Sequence, residues 1–318
     1  MTNQNAYGGM YMVKNEIKRL AGVYPIISTP FTEDGGLDLH SLERLSNFMC
    51  QSGVQGAVYP AIASEFSTLT KSERHNAVSL VAQTINQRIR FVVGISDHSP
   101  DLSAAHAQQA EELKADAIML MSPRSAGDTP DDVIKFFKSA IGNVKLPVIM
   151  QNAPPPLGSS LSIETVASVC HAIPQIQYVK EEVVPCGPRI SELLSGVPDL
   201  MGVFGGAGGR FVMDELKRGA AGSMPACEVP EIHAALYASY MEGDEEGARL
   251  HFNHVIPILN MGSVYRTPIT KHILKARNII DCSHHRDNNP VLDQHDRHEV
   301  DAIWALCRMT SQVFAGSL

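Results

Sequence analysis

Lys180 and Glu182 are the residues best suited to chemistry, because they directly follow the short apolar run Ile176–Val179 with a spacing of two. Such a run is typical of a buried strand. Side chains on a strand alternate between its two faces, so Lys180 and Glu182 share a face, roughly 6–7 Å apart along the chain, while Glu181 takes the other. A lysine amine beside a carboxylate is a nucleophile with its own acid/base partner. A surface ion pair at a strand end would have the same pattern.

The elements that would position this pair alternate regularly between residue 22 and about residue 243. Eight strand-like runs are Val23–Phe31, Gly56–Ala61, Arg90–Ile95, Ala117–Ser122, Pro147–Asn152, Ile176–Glu182, Leu200–Gly206 and Ala221–Ala226. Each is followed by a stretch with helical periodicity: Leu39–Ser52, Lys71–Asn86, Ser99–Leu113, Thr129–Ile141, Ser162–His171, Pro188–Ser195, Arg210–Arg218 and Pro230–Met241. Alternating strands and helices predict a parallel sheet, and eight units predict an α/β fold of the (β/α)8, or TIM barrel, type. Lys180 and Glu182 would then stand in the barrel mouth, where active sites of this fold are built.

A doubly wound open sheet is the main alternative to the barrel. It would carry a glycine-rich phosphate turn after its first strand, where this chain has Ser28-Thr29-Pro30-Phe31. Beyond residue 243 the strand pattern stops, and three helices are predicted at Glu245–Met261, Pro268–Ile279 and His298–Phe314. We therefore expect an N-terminal segment over residues 1–19, a catalytic barrel over 20–243 and a C-terminal helical bundle over 244–318.

Composition and charge exclude several classes of function. The chain has 318 residues, 44% of them apolar, and a net charge of −8. That charge argues against nucleic-acid and membrane-surface partners, because both need clustered basic residues. No apolar run approaches the ~20 residues of a membrane span, and the first residues lack a signal-peptide core. We expect a soluble, cytoplasmic protein whose six cysteines are reduced and mostly buried, with Cys186 near the lysine serving packing.

Two segments outside the lysine strand have several interpretations. Residues 281–298 are crowded with histidine and aspartate but match no known ligand spacing, so a solvated connection is favoured and no metal is predicted. The glycine-rich turn 205–210 follows the seventh run, where barrels bind phosphate on backbone N–H groups; it could equally give room to a substrate or form a tight turn. Gly205, Gly206 and Met224, at the ends of the last two runs, are predicted to contact substrate.

Four motifs occur in order along the chain: Gly22-Val23-Tyr24-Pro25 with Thr29-Pro30-Phe31, Ser64-Glu65-Phe66-Ser67-Thr68-Leu69-Thr70 with Glu73-Arg74, Asn152-Ala153-Pro154, and Val179-Lys180-Glu181. Together they resemble the dihydrodipicolinate synthase/N-acetylneuraminate lyase family of Schiff-base aldolases and dehydratases, over about residues 20–280. The resemblance implies a (β/α)8 barrel with a C-terminal helical extension, a homotetramer and a small 2-keto acid as substrate. It also implies that Lys180 forms an imine with the C2 carbonyl of that acid, so that no cofactor is needed.

The chain departs from the family pattern at positions that hold substrate. Most members have Gly-Thr-Thr-Gly-Glu where this chain has Ala61-Ile62-Ala63-Ser64-Glu65, so Ala63 and Ser64 are predicted to bind the substrate carboxylate in an altered form. Most members also place a catalytic tyrosine at the position of Gln151, which can orient by hydrogen bonding but cannot titrate. The arginine that binds the second substrate of the synthases aligns with Pro156, which argues against synthesis of dihydrodipicolinate.

Glu182 is predicted to replace the missing tyrosine, since most relatives have a small residue at its position. An acid there is similar to the family's 2-keto-3-deoxy-L-arabinonate dehydratases, which form 2-oxoglutarate semialdehyde. We therefore predict this dehydration, with Lys180, Glu182 and Gln151 as catalytic residues. Two alternatives stay open. One is a retro-aldolase that releases pyruvate, although Gln151 leaves no evident base for the C4 hydroxyl. The other is a 2-keto-acid-binding protein without catalysis.

Overall fold

The computed structural model describes residues 19–127, 129–156 and 158–315, and its centre is a barrel of eight parallel strands. The strands are β1 (Gly22–Val23), β2 (Gly56–Tyr59), β3 (Arg90–Gly94), β4 (Ala117–Met121), β5 (Val148–Asn152), β6 (Ile176–Glu181), β7 (Gly202–Gly205) and β8 (Gly222–Ser223). They are followed in turn by the helices α1 (Leu39–Gln51), α2 (Lys71–Ile85), α3 (Pro100–Glu112), α4 (Pro130–Ile141), α5 (Ile163–Ala172), α6 (Cys186–Gly196), α7 (Val212–Lys217) and α8 (Pro230–Met241). The predicted (β/α)8 barrel is confirmed.

The sheet closes almost completely on itself. Its strands pair in parallel in the order β1-β8-β7-β6-β5-β4-β3-β2, and an isolated bridge between Ile26 and Val58 joins the two ends of that order. Ile27 N donates to Val58 O at 3.0 Å, and Val58 N donates to Pro25 O at 3.0 Å, which reinforces the seam. Because the strands are parallel and closed, their carboxyl ends meet at one mouth.

Strand alternation divides the core into two layers. Ile149 and Tyr178 belong to a cluster inside the barrel, whereas their chain neighbours Met150 and Val179 belong to a larger cluster between the barrel and the helices. Both faces of the strands are therefore buried, which is why the strands read as continuous apolar runs. Side chains that follow the inner cluster along each strand point into the mouth.

All eight strands are shorter than predicted from the sequence, and β1 and β8 differ most from the prediction. The predicted strand Val23–Phe31 is too long, since β1 ends early and Ile26 continues it only as a bridge. The predicted strand Ala221–Ala226 likewise ends at β8 after two residues. Pro25 and Pro225 explain both corrections, because a proline has no N–H group to donate to a ladder of hydrogen bonds.

Helices begin at residues whose type is readable from the sequence. The side chains of Asp38, Thr70, Ser99, Thr129 and Ser162 each accept a hydrogen bond from a backbone N–H in the first turn of the helix that follows. Such caps satisfy N–H groups that have no partner within the helix. They fix the residue at which each of these helices begins after its loop at the barrel mouth.

Three further helices follow the barrel: α9 (Glu245–Tyr265), α10 (Thr267–Ala276) and α11 (Gln294–Ala315). They pack against one another through an apolar cluster that includes Val255, Ile269 and Val300. The three helices predicted after the barrel are confirmed. The division at residues 20–243 and 244–318 stays a prediction, and the predicted segment 1–19 lies, apart from Arg19, outside the described residues. Within the described part of the chain, each helix is too short or too polar to cross a membrane.

The histidine- and aspartate-rich segment, predicted to be a solvated connection, is anchored to the barrel although most of its residues are at least partly exposed. Glu65, in the loop after β2, accepts hydrogen bonds from the backbone N–H groups of Arg286 (2.6 Å) and Asp287 (2.9 Å). The side chain of Arg286 also binds Glu73 through two hydrogen bonds of 2.6 and 3.0 Å. These partners are more than 200 positions apart in the chain, so local sequence patterns could not reveal them.

Candidate active site

Lys180, Glu182 and Gln151 meet in the mouth of the barrel. In the register of the sheet, Lys180 on β6 lies beside Gln151 on β5 and Phe204 on β7. Lys180 Nζ lies 3.3 Å from Glu182 Oε1, and Gln151 Nε2 donates a hydrogen bond to the same oxygen at 2.6 Å. Lys180 is 4% exposed and Gln151 2% exposed. The structure thus brings together the three side chains that the sequence assigned to catalysis.

Glu182 is held from several sides although it lies one residue beyond β6. Its backbone N–H donates to Asn152 O at 3.1 Å, which extends the pairing with β5. Its Oε2 accepts from Ala207 N at 3.4 Å, while Oε1 faces Lys180 and Gln151. These contacts aim the carboxylate at the lysine amine. An ionised carboxylate beside a lysine is equipped to accept a proton from a substrate bound there.

Glu181 occupies the opposite face of the strand, as alternation requires. It is fully buried and accepts hydrogen bonds from Asn152 Nδ2 at 2.9 Å and Val183 N at 2.8 Å. Arg189 Nε lies 3.3 Å from its Oε1. Burial raises the pKa of Glu181, and the bonds to Asn152 and Arg189 oppose that rise. Glu181 therefore ties β5, β6 and α6 together behind the site.

Gly206 supplies the room that Glu182 needs. A Cβ atom at this position would overlap the Glu182 side chain, with its Cδ only 2.8 Å away. We expect Gly206→Ala to push the carboxylate off the lysine and lower turnover by roughly 10–10³-fold, less than outright loss of the acid/base group. The measurement is kcat beside that of Gly196→Ala, since a Cβ at Gly196 would meet open space. Equal activities of Gly206→Ala and the parent protein would contradict this role.

The two predicted residues of the β2 loop differ in their surroundings. Ser64 is fully buried, and its Oγ donates to Ile27 O at 2.5 Å while it accepts from Ala61 N at 3.0 Å. Its hydroxyl therefore holds the loop in shape. Ala63 is partly buried and packs against the cluster inside the barrel. Direct contact of either residue with a substrate stays a prediction.

The remaining predicted residues, Gly205, Gly206 and Met224, do not all face the inside of the barrel. Met224 is 2% exposed and belongs to the cluster inside the barrel, and its N–H donates to Gly205 O at 2.9 Å. Gly206 also faces inward, against Glu182. Gly205 faces outward instead, where a Cβ atom would overlap the carboxyl group of Glu215. Of the three, Gly206 and Met224 share the face of the lysine.

Sequence reasoning missed Glu215 on α7. It is fully buried, and among the described residues no hydrogen-bond donor reaches either of its carboxyl oxygens. Burial, with the nearby charges of Asp214 and Glu182, raises its pKa to about 8. The available signal is an acid beside the apolar Val212, Met213 and Leu216 of the same short helix. Such a position is unusual for a charge that has no partner.

Cys186, at the start of α6, matches its predicted packing role. It is 1% exposed, and burial together with the charges of Glu215, Glu181 and Glu182 raises the pKa of its thiol to about 12. A thiol with such a pKa is not the nucleophile of this site at neutral pH.

Glu65, His285 and Asp287 are the side chains best arranged for a metal ion in the described part of the chain, with ligand atoms within 4.8 Å of one another. Their oxygens already serve other partners. Glu65 binds the buried ammonium of Lys271 and two backbone N–H groups, while Asp287 binds His285 Nδ1 at 2.9 Å and Thr267 Oγ1 at 2.7 Å. The ammonium of Lys271 also disfavours a second cation. We assign this cluster to holding the C-terminal segment on the barrel.

Comparison with known proteins gives a consistent picture. A probable 2-dehydro-3-deoxy-D-pentonate aldolase of Escherichia coli K12 is 25% identical over 232 residues, 72% of this chain and 77% of that protein. The L-2-keto-3-deoxyarabonate dehydratase of Azospirillum brasilense is 25% identical over 297 residues, 92% of this chain and 96% of that protein. The crystal structure of dihydrodipicolinate synthase from Rhodopseudomonas palustris shares the fold, with a TM-score of 0.84 at 23% identity over 90% of this chain and 97% of that one. The dihydrodipicolinate synthetase family model matches residues 19–303, and the chain therefore belongs to that family.

Proposed function

We propose that this protein is a Schiff-base dehydratase that converts 2-keto-3-deoxy-L-arabinonate into 2-oxoglutarate semialdehyde. Membership of the family supports a lyase of the aldolase or dehydratase kind. The dehydratase of Azospirillum brasilense, similar over 92% of this chain, supports the choice of substrate. The observation that carries the proposal is the carboxylate of Glu182, 3.3 Å from Lys180 Nζ and hydrogen-bonded to Gln151, which lies at the position where the family resemblance implies a tyrosine.

Imine formation is the first step of the proposed mechanism. The neutral amine of Lys180 attacks the C2 carbonyl of the substrate, and loss of water gives a protonated imine. Attack requires the neutral amine of Lys180, which is buried beside Glu182. The protonated imine then withdraws electrons from C3, and it needs no metal or organic cofactor to do so.

Glu182 carries the proton transfers that follow. It removes a proton from C3 to form an enamine, and as the resulting acid it protonates the C4 hydroxyl, which leaves as water. Loss of a proton from C5 gives a dienamine that is also a C5 enol. Protonation at C4 and then C3 yields the C5 aldehyde and restores the imine, and its hydrolysis frees Lys180. The net change is the loss of one water molecule.

Gln151 serves in this mechanism as an orienting group. Its hydrogen bond of 2.6 Å fixes the carboxylate of Glu182 between the lysine and the Ala207 N–H. An amide cannot titrate, so it cannot deprotonate a C4 hydroxyl, as retro-aldol cleavage requires. The position of Gln151 thus favours dehydration over cleavage.

Substitution of Gln151 separates orientation from proton transfer. We expect Gln151→Ala to lower kcat by roughly 5–50-fold, because Glu182 loses a donor and moves more freely. We expect Gln151→Tyr not to raise dehydration and to introduce some release of pyruvate. The measurement is the amount of 2-oxoglutarate semialdehyde and of pyruvate that each variant forms. Full activity of Gln151→Ala would assign this residue to packing.

Product analysis tests the proposed function. Purified protein incubated with 2-keto-3-deoxy-L-arabinonate is expected to release 2-oxoglutarate semialdehyde, identified by mass spectrometry and NMR. Pyruvate with glycolaldehyde would instead establish the retro-aldolase. No conversion of this acid or of its longer and epimeric analogues would favour a binding protein. A cytoplasmic location and a homotetramer are part of the same proposal, and fractionation and sedimentation test them.

A further inference from the structure

Two carboxyl groups flank consecutive residues at the end of β7. Glu182 lies against Gly206 on the inner side of the barrel, and Glu215 lies against Gly205 on the outer side. A Cβ atom at Gly205 would overlap Glu215 Oε2 and lie 2.9 Å from its Oε1. Since consecutive Cα atoms are about 3.8 Å apart, the two acids are separated only by the backbone of one short segment.

Glu182 and Glu215 differ in the hydrogen-bond donors that reach their carboxyl groups. Glu182 receives hydrogen bonds from Gln151 and the Ala207 N–H and faces the Lys180 amine. Glu215 is 0% exposed, and no donor among the described residues reaches either oxygen. Like charges at such close range in a buried region disfavour ionisation of both groups. Glu215, whose oxygens no described donor reaches, therefore keeps its proton.

The arginines and lysines on the described helices α6, α7 and α9, with Arg218 at the end of α7, are paired with acids other than Glu215. Arg218 binds Asp214 at 2.9 Å, Arg189 lies 3.3 Å from Glu181, and Lys217 and Arg249 pair with Glu245 at the surface. Cys186, on α6, is a neutral thiol, and its pKa is raised in part by the charge of Glu215, whereas Arg210 lowers it. β8 contributes only Gly222 and Ser223. Three causes raise the pKa of Glu215 to about 8: burial is the largest, followed by the charge of Asp214 and the charge of Glu182.

We propose that Glu215 is a positioning residue that acts through Glu182: in its neutral form it leaves the negative charge of the site on Glu182, and its ionisation disfavours turnover. This inference rests on the proposed function, in which an anionic 2-keto acid meets a neutral Lys180. A second negative charge behind Glu182 repels the substrate carboxylate and favours the ammonium form of Lys180. Both effects lower kcat/KM as the pH rises through the ionisation of Glu215.

The pH dependence of kcat/KM tests the inference. We compare the parent protein with Glu215→Gln and with Glu192→Gln, which removes an exposed acid from α6. The ratio of Glu215→Gln to parent is expected to rise about tenfold between pH 7 and pH 9, because a group with a pKa of about 8 is nine-tenths ionised at pH 9. The ratio for Glu192→Gln is expected to stay constant. An equal alkaline decline in Glu215→Gln and parent would overturn the inference.

Infrared spectroscopy tests the same inference without a substrate. The parent protein at pH 7 is expected to show a carbonyl band of protonated carboxylic acid, to which the buried Glu181 and Glu228 can add, because burial raises the pKa of both. The band is expected to weaken in Glu215→Gln and to keep its intensity in Glu192→Gln. An unchanged band in Glu215→Gln would contradict a neutral Glu215. If Glu215→Gln does not fold, Glu215→Met must show the same weakening of the band. A protein that dehydrates no 2-keto-3-deoxy acid refutes the proposed function while the band still reports on Glu215.

Discussion

Lys180→Ala is expected to abolish both imine formation and turnover. Its amine is the nucleophile that forms the covalent intermediate, and loss of a covalent nucleophile lowers turnover by roughly 10⁴–10⁶-fold. Borohydride reduction in the presence of pyruvate should add one stable adduct to the parent chain and none to Lys180→Ala. Intact-protein mass spectrometry measures the adduct, and peptide mapping locates it.

Lys271 is the other lysine that peptide mapping must exclude as the site of the adduct. Among the described residues, Lys180 and Lys271 are the two buried lysines. Burial lowers the pKa of Lys271, as a Schiff-base lysine requires, but Glu65 opposes that shift. Its ammonium also binds Glu65 at 2.5 Å and donates to His284 O at 2.8 Å, which commits it to the C-terminal segment. An adduct on Lys271, or on any lysine other than Lys180, would refute the assignment.

Glu182→Gln is expected to lower turnover by roughly 10²–10⁴-fold, the usual contribution of a general acid/base group. Glutamine keeps the size of the side chain and can still accept the hydrogen bond from Gln151, but it cannot take a proton from C3. Imine formation with pyruvate should survive, since it depends on Lys180. The measurements are kcat for dehydration and the yield of the borohydride adduct on the same variant.

Glu181→Gln is the matched substitution on the other face of β6. It is not a neutral control, because Glu181 is buried and bound by Asn152 and Arg189. We expect it to lower the free energy of unfolding by about 1–3 kcal/mol, the cost of weakening a buried polar network. If folded Glu181→Gln lost turnover while Glu182→Gln kept it, the strand register on which the mechanism rests would be wrong by one residue.

The barrel and the shared face of Lys180 and Glu182 were predictable because they follow from local rules. Eight apolar runs between amphipathic stretches indicate the fold, and strand alternation places Lys180 and Glu182 together and Glu181 apart. The hydrogen bond from Gln151 to Glu182 was not predictable, since it joins side chains 31 positions apart. The neutral state of Glu215 was not predictable either, because it depends on how α7 packs against the outer side of Gly205.

Ser64 shows a different limit of sequence reasoning. The residue type identifies a hydroxyl close to the expected carboxylate site, but it does not say which partner that hydroxyl takes. In the structure Ser64 Oγ accepts a hydrogen bond from Ala61 N and donates one to Ile27 O. These partners depend on how the segment after β1 packs against the β2 loop. Polar residues commonly satisfy backbone groups in this way. The type of a polar residue therefore predicts its position better than its role.

Trapping the intermediate on Lys180 tests the dehydration most directly. Parent protein and Glu182→Gln are treated with borohydride during reaction with 2-keto-3-deoxy-L-arabinonate, and the adducts are weighed by mass spectrometry. We expect the parent to carry an adduct that has lost one water molecule and Glu182→Gln to carry the adduct of the intact acid. An adduct with the mass of reduced pyruvate on the parent would show cleavage instead and contradict the account.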